Sequence, residues 1–178
     1  KYFTHENSTS YMINYEQGNK RVGDHLAILL NAQITDIEGK PTGKSDIREP
    51  VKVQMSYKLL KKVPVAPYAL FHFADENGVC AFVSIGKGYV DCEGTLPGIY
   101  TFECEIPANL LNNLTYFVGF ALTFTHEGTH ISFFEKDVLC LTVVDSIEES
   151  IEDQRCGHAG TIVGVVRPQM LWRTRMQK

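Results

Sequence analysis

Two stretches of the chain hold residue types at spacings that enzymes use. His126-Glu127-Gly128-Thr129-His130 matches H-E-x-x-H. In zinc peptidases that pattern sets two imidazoles at i and i+4 on one helical face, with the glutamate activating a metal-bound water. The flanks here, Phe120 to Thr125 and Ile131 to Phe134, are aromatic and β-branched and alternate with a period of two. That pattern makes strands, so Glu127-Gly128 reads as a hairpin tip with His126 and His130 facing each other across it, solvated rather than bound to zinc. The second stretch, Glu38-Gly39-Lys40-Pro41-Thr42-Gly43-Lys44-Ser45, resembles a phosphate-binding P-loop. It has three residues between its first glycine and Gly-Lys-Ser where the motif needs four, and Pro50 blocks the long helix that must follow. A polar loop between two strands is the better reading.

Nothing else composes an active site. His72 stands alone in an apolar run, and no nucleophile sits in a G-x-S-x-G turn. The five cysteines, Cys80, Cys92, Cys104, Cys140 and Cys156, are odd in number and form no C-x-x-C pair. They read as free thiols in a reducing compartment, which makes the sequons at Asn7 and Asn113 chance matches. No cofactor or metal is expected. A net charge of -4 with scattered Lys and Arg argues against nucleic-acid binding, and no apolar run is long enough to span a bilayer. The chain starts at Lys1 without an initiator Met, which suggests a piece of a longer protein.

The elements that must position any site are strands. Alternation marks Leu26 to Ile37, Val51 to Leu60, Tyr68 to Ala74, Val79 to Ile85, Ile99 to Ile106, Thr115 to Thr125, His130 to Phe134 and Val138 to Val144. Turn residues separate them, as in Asp75-Glu76-Asn77-Gly78 and Leu96-Pro97-Gly98. At 178 residues this predicts an all-β chain, an immunoglobulin-like antiparallel β-sandwich over 24–145, with one helical turn at Ala108 to Asn112. Residues 1–23 read as a linker or arm, 146–160 as an acidic tether, and 161–178 as a C-terminal strand and tail. The run Thr161 to Val166 is too β-branched and apolar to stay unpaired. Two readings are open: it folds back onto its own sheet, or it crosses to a second copy of the chain, which would put Val163, Val165, Val166 and Trp172 at a dimer contact with Pro168 ending the ladder.

Parity along Thr115 to Thr125 puts Tyr116, Val118, Phe120, Leu122 and Phe124 in the core. Thr115, Phe117, Gly119, Ala121, Thr123 and Thr125 then face outward. One aromatic beside small and hydroxyl residues suits a saccharide, whose C–H face stacks on a ring while its hydroxyls meet short polar side chains. The same parity turns His72 and Thr101 outward. Candidate sugar contacts are Phe117, Thr123, His72 and Thr101, with Arg48 or Lys87 available for an anionic substituent.

Two features in order resemble a known family. They are Phe71-His72-Phe73-Ala74-Asp75-Glu76-Asn77-Gly78 followed by Gly98-Ile99-Tyr100-Thr101-Phe102 and Ile106-Pro107, and the closing Gly164-Val165-Val166-Arg167-Pro168 with Trp172. From about Asp24 to Trp172 the chain looks like the C-terminal carbohydrate-binding domain of Wzt-type ATP-binding subunits of O-antigen polysaccharide ABC transporters. The resemblance implies a non-catalytic homodimer with a swapped last strand. Its implied setting is the inner face of the bacterial inner membrane, in the cytoplasm, joined to the transmembrane permease through an ATPase domain of the parent chain. The implied ligand is the non-reducing end of a lipid-linked O-antigen polysaccharide, selected for export, and the tail is then a dimer element rather than the sugar site. Two other expectations stand beside it: a structural dimerisation sandwich without ligand, and a metal-dependent hydrolase built on His126 and His130.

Overall fold

The computed structural model describes residues 10–90, 94–145 and 160–176. Residues 146–159 of the acidic tether, the sequon at Asn7, Cys92 and Cys156 lie outside them. Ten strands form two sheets. The first holds β1 (Met12–Asn14), β2 (Val22–Gly23), β3 (Ala27–Thr35), β5 (Val51–Leu59) and β8 (Gly98–Ile106), in the order β1-β3-β5-β8 with β2 also on β3. The second runs β4-β10-β9-β6-β7, from β4 (Lys44–Asp46), β6 (Pro67–Asp75), β7 (Cys80–Lys87), β9 (Thr115–Thr125) and β10 (Thr129–Val144). All pairs are antiparallel except β4 with β10. The all-β sandwich is the fold that the alternation predicts.

The core lies between the sheets, where β5 and β6 bury alternate side chains and β3, β9 and β10 add many more. Val53, Met55, Tyr57 and Leu59 of β5 meet Tyr116, Val118, Phe120 and Leu122 of β9, all at most 1% exposed. Phe71 packs edge-on to Phe120 at 4.9 Å, while Phe73 stacks on Phe82 at 4.5 Å.

Four expectations are corrected. Residues 12–14 and 22–23, inside the stretch read as a linker or arm, pair with β3. No helical turn forms at Ala108 to Asn112: Asn109 has φ 62°, and its amide donates to Ile47 O at 2.8 Å, so the chain turns rather than coils. The segments read as two strands, His130 to Phe134 and Val138 to Val144, are one strand, β10. It is interrupted by bulges between Ile131 and Phe133 and between Glu135 and Leu139, the second with Asp137 at φ 52°. Finally, His126 and His130 do not face each other. Thr125 pairs with Thr129 across a three-residue loop whose Glu127 and Gly128 take positive φ, so His130 lies opposite Phe124.

His130 has a different task. Its Nε2 is 2.6 Å from Asp24 Oδ2, while Asp24 Oδ1 accepts from the amides of Leu26 (2.7 Å) and Ala27 (3.1 Å) and from Ser132 Oγ (3.0 Å). This carboxylate therefore ties the turn before β3 in one sheet to β10 in the other. Burial pushes its pKa up, but the bonds from Leu26, Ala27, His130 and Ser132 outweigh burial and hold it below the ordinary value. A lowered carboxylate pKa adds stability above the unfolded pKa, and that stability is lost as pH falls through the folded one. Asp24→Ala is expected to cost ~1–3 kcal/mol at pH 7. Urea denaturation at pH 7 and in the acid range checks this: the gap between wild type and variant must shrink on acidification.

Candidate functional site

The two outward faces of the sandwich differ in chemistry. On the first sheet the polar side chains satisfy one another. Gln33 Nε2 donates to Gln54 Oε1 (2.7 Å), Gln54 Nε2 to Glu103 Oε2 (2.6 Å), and Ser56 and Thr101 share a bond at 2.8 Å. On the second sheet the outward side chains are mostly apolar or small. Val83 and Ile85 of β7 register with His72 and Leu70 of β6, which register in turn with Gly119 and Ala121 of β9. Val83, Ile85, Ile131 and Phe134 are all exposed. A solvated sheet face with several large apolar side chains exposed is a candidate binding face.

The two bulges of β10 shape a cavity in that face. At the first, Ser132 and Phe133 are both buried and Phe134 turns outward opposite Ala121, while the second carries Lys136 and Asp137 to the cavity rim. The Phe134 ring lies 4.9 Å from the imidazole of His72, tilted by 47°, and Lys136 Nζ stands 5.6 Å from its centroid. These groups, with Glu76, Asn77 and Asp137 at the rim, enclose about 690 Å³ over a floor that includes Ala74 and Gly119. Burial first, and then the Lys136 charge, hold the His72 imidazole below its ordinary pKa. A neutral ring at pH 7 can stack while donating from one nitrogen and accepting at the other.

Gly119 makes this geometry possible. A Cβ there would sit 2.8 Å from Glu135 O and 3.1 Å from Lys136 Cα, so the bulge closes down on the β9 backbone only because position 119 has no side chain. Gly119→Ala is expected to cost ~1–2 kcal/mol through backbone overpacking. It should also displace Lys136 and Asp137 from the cavity rim, which a thermal melt and the resonances of the 134–138 segment check together.

Of the residues singled out by parity, His72 lines this cavity. Phe117 is half-buried beside it, between Ala74 and Cys140 in register. Thr123 lies four residues beyond Gly119 on the same face, its Oγ1 3.4 Å from Tyr68 O. The other three lie elsewhere. Thr101 is on the opposite face of the sandwich, bonded to Ser56. Arg48 forms a two-point pair with Asp46, at 2.7 and 2.9 Å, and Lys87 ends the edge strand β7 opposite Tyr68. Parity alone misses Phe134, Lys136 and Asn77. The consecutive Phe133 and Phe134 signal that one aromatic must point outward, although not which one.

The tail is placed differently from a sheet strand. Thr161 to Val166 makes a single bridge, Val166 with Leu111, and Gly164 takes φ 125°. Its backbone is held by side chains of its own chain: Asn112 Nδ2 donates to Ile162 O and Gly164 O, both at 2.7 Å, and Tyr116 OH donates to Val165 O at 2.6 Å. Val165 and Val166 are half-buried, whereas Val163 and Trp172 are 88% and 87% exposed.

This architecture, two sheets closed at one end by the C-terminal segment, has a counterpart among solved structures. The crystal structure of the C-terminal domain of Wzt matches with a TM-score of 0.67 over 96% of this chain and 98% of that one, at 12% sequence identity. The chain has the Wzt C-terminal domain fold. No family model and no curated protein sequence matches it. The Wzt likeness therefore extends to the path of the backbone, while the side chains of the cavity belong to this chain. Among the described residues no cluster of three or more His, Cys, Asp or Glu is arranged to hold a metal ion, and no helix is long and apolar enough to cross a membrane.

Proposed function

We propose that this chain is a carbohydrate-recognition domain that binds the non-reducing terminal region of a lipid-linked O-antigen polysaccharide and selects it for export by an ABC transporter. The observation that carries this reading is the cavity walled by Phe134 and His72 on the outward face of a Wzt-type sandwich. An aromatic wall, a floor of Ala and Gly, and a rim of amide, amine and carboxylate groups match a sugar's apolar face and its ring of hydroxyls. In this reading the chain works in the cytoplasm at the inner membrane and has no catalytic residue. ATP hydrolysis and contact with the permease then belong to the parent subunit. Phe117 and Thr123 extend the sugar face on either side of the cavity.

Titration calorimetry with the O-polysaccharide from the strain that encodes the chain, with and without its terminal group, tests the proposal. Saturable binding that weakens when the terminal group is removed is expected. Equal binding to an unrelated glycan, or none to either form, overturns it.

The exposed tail favours a second, compatible element, a homodimer. Leu171 and Trp172 are adjacent, large and apolar, and they are 85% and 87% exposed, the kind of surface that a partner covers. Exchange of the segment from Thr161 between two copies, with Val163 and Trp172 against the partner, would cover it. Sedimentation equilibrium should give twice the chain mass, and Trp172→Ser should shift the population toward monomer.

A further inference from the structure

A second cavity, of about 420 Å³, lies on the other side of the Asp75–Val79 turn. Asp75 lines it, while the next three residues, Glu76, Asn77 and Gly78, line the aromatic cavity, so a single turn divides the two. Its other walls are Asn113 and Leu114 on one side and the tail, from Thr161 to Val165, on the other. The polar groups it offers are neutral. Asp75, the acidic group in the wall, is nearly buried, and its carboxylate is already used by the amides of Asn77 (2.9 Å) and Val79 (2.7 Å). Asn112 spends its amide holding the tail. The side chains of Asn113 and Thr161 have no hydrogen-bond partner among the described residues, and both residues are exposed. A free amide and a free hydroxyl beside Leu114, Ile162 and Val165 make a surface for an uncharged, hydroxyl-rich ligand with apolar faces.

Resting on the carbohydrate reading above, we infer that this tail cleft is a second subsite of the same glycan site. It takes the uncharged sugar residues that follow the terminal one, so the ligand is an oligosaccharide segment crossing the Asp75–Val79 turn. From Gly119 to Thr115, the first residue of β9, the backbone spans roughly 14 Å at 3.4 Å per residue, more than one sugar ring covers. Phe117, half-buried on β9 between these two positions, supplies a ring along the way. The C-terminal segment then has two tasks, closing the end of the sandwich and forming one wall of the site.

Size-graded fragments of the O-polysaccharide, one to four residues long and keeping the non-reducing end, test this on the full chain by calorimetry. Affinity is expected to rise about fivefold or more between the one-residue and the longer fragments, the gain from one or two neutral hydrogen bonds. The double variant Asn113→Ala/Thr161→Ala should erase that rise, and Phe134→Ala should weaken every fragment. A flat length dependence overturns the inference. So does a double variant that keeps the full rise while Phe134→Ala still weakens binding, an outcome that spares the carbohydrate reading. Absence of binding at any length overturns both.

Discussion

Arg167→Met is expected to destabilise the chain by ~3–5 kcal/mol, because it leaves a buried carboxylate without its cation. Arg167 Nη1 is 2.8 Å from Asp145 Oδ2, and the two side chains are 12% and 0% exposed. Methionine fills part of the volume but gives Asp145 no charge, so the cost of desolvating that carboxylate is offset less well. The loss spreads locally, since Arg167 N also donates to Leu110 O and its neighbour Val166 bridges to Leu111. For a chain of this length the melting temperature should fall by roughly 10 °C. The double variant Arg167→Met/Asp145→Leu should recover part of that fall, because it removes the buried carboxylate together with its cation. Melts must be run at one protein concentration, since an exchanged tail would make the midpoint depend on it. A single variant that melts with wild type would mean that the tail is not docked through this pair.

The seven long strands were legible because each turns one face toward the core and the other toward solvent, which writes a period of two into the sequence. Strands β1, β2 and β4 were not, since two or three residues carry no period and these are fixed by backbone pairing to longer neighbours. The division of β10 into two strands has the same origin. The polar Glu135-Lys136-Asp137 interrupts the apolar alternation, and a bulge absorbs those residues without ending the strand. Thr161 to Val166 shows the opposite failure. Its composition is that of a strand, but Gly164 at positive φ and the side chains of Asn112 and Tyr116 take up backbone groups that a ladder would use.

The site was half legible for a related reason. Alternation tells which side chains leave the core, and it found His72, Phe117 and Thr123 on one face. It cannot tell on which of two sheets a strand lies, and so it grouped Thr101 with residues on the other side of the sandwich. The sheet partition comes from β5 pairing β8 while β6 pairs β9, contacts separated by roughly forty to sixty residues that no local pattern encodes. The zinc motif failed at the level of backbone conformation, for its two histidines need a helix and the alternation around them forms a hairpin.

Phe134→Ala is the change expected to weaken glycan binding most. The ring is 46% exposed, yet it has fixed neighbours in His72 at 4.9 Å and Lys136 Nζ at 5.6 Å. A rigid aromatic with fixed neighbours loses little rotamer freedom when a ligand stacks on it, which is why such residues dominate binding energies. Truncation should cost ~2 kcal/mol, about thirtyfold in affinity. Its effect on folding should be small, because the core-facing partner, Phe133 at 5% exposure, is untouched. Phe133→Ala should do the reverse, costing ~3–5 kcal/mol of stability through the cavity it leaves. Calorimetry and urea denaturation on the pair separate the two roles. Phe134→Ala with unchanged affinity would move the sugar site off this face, whatever the sandwich resembles.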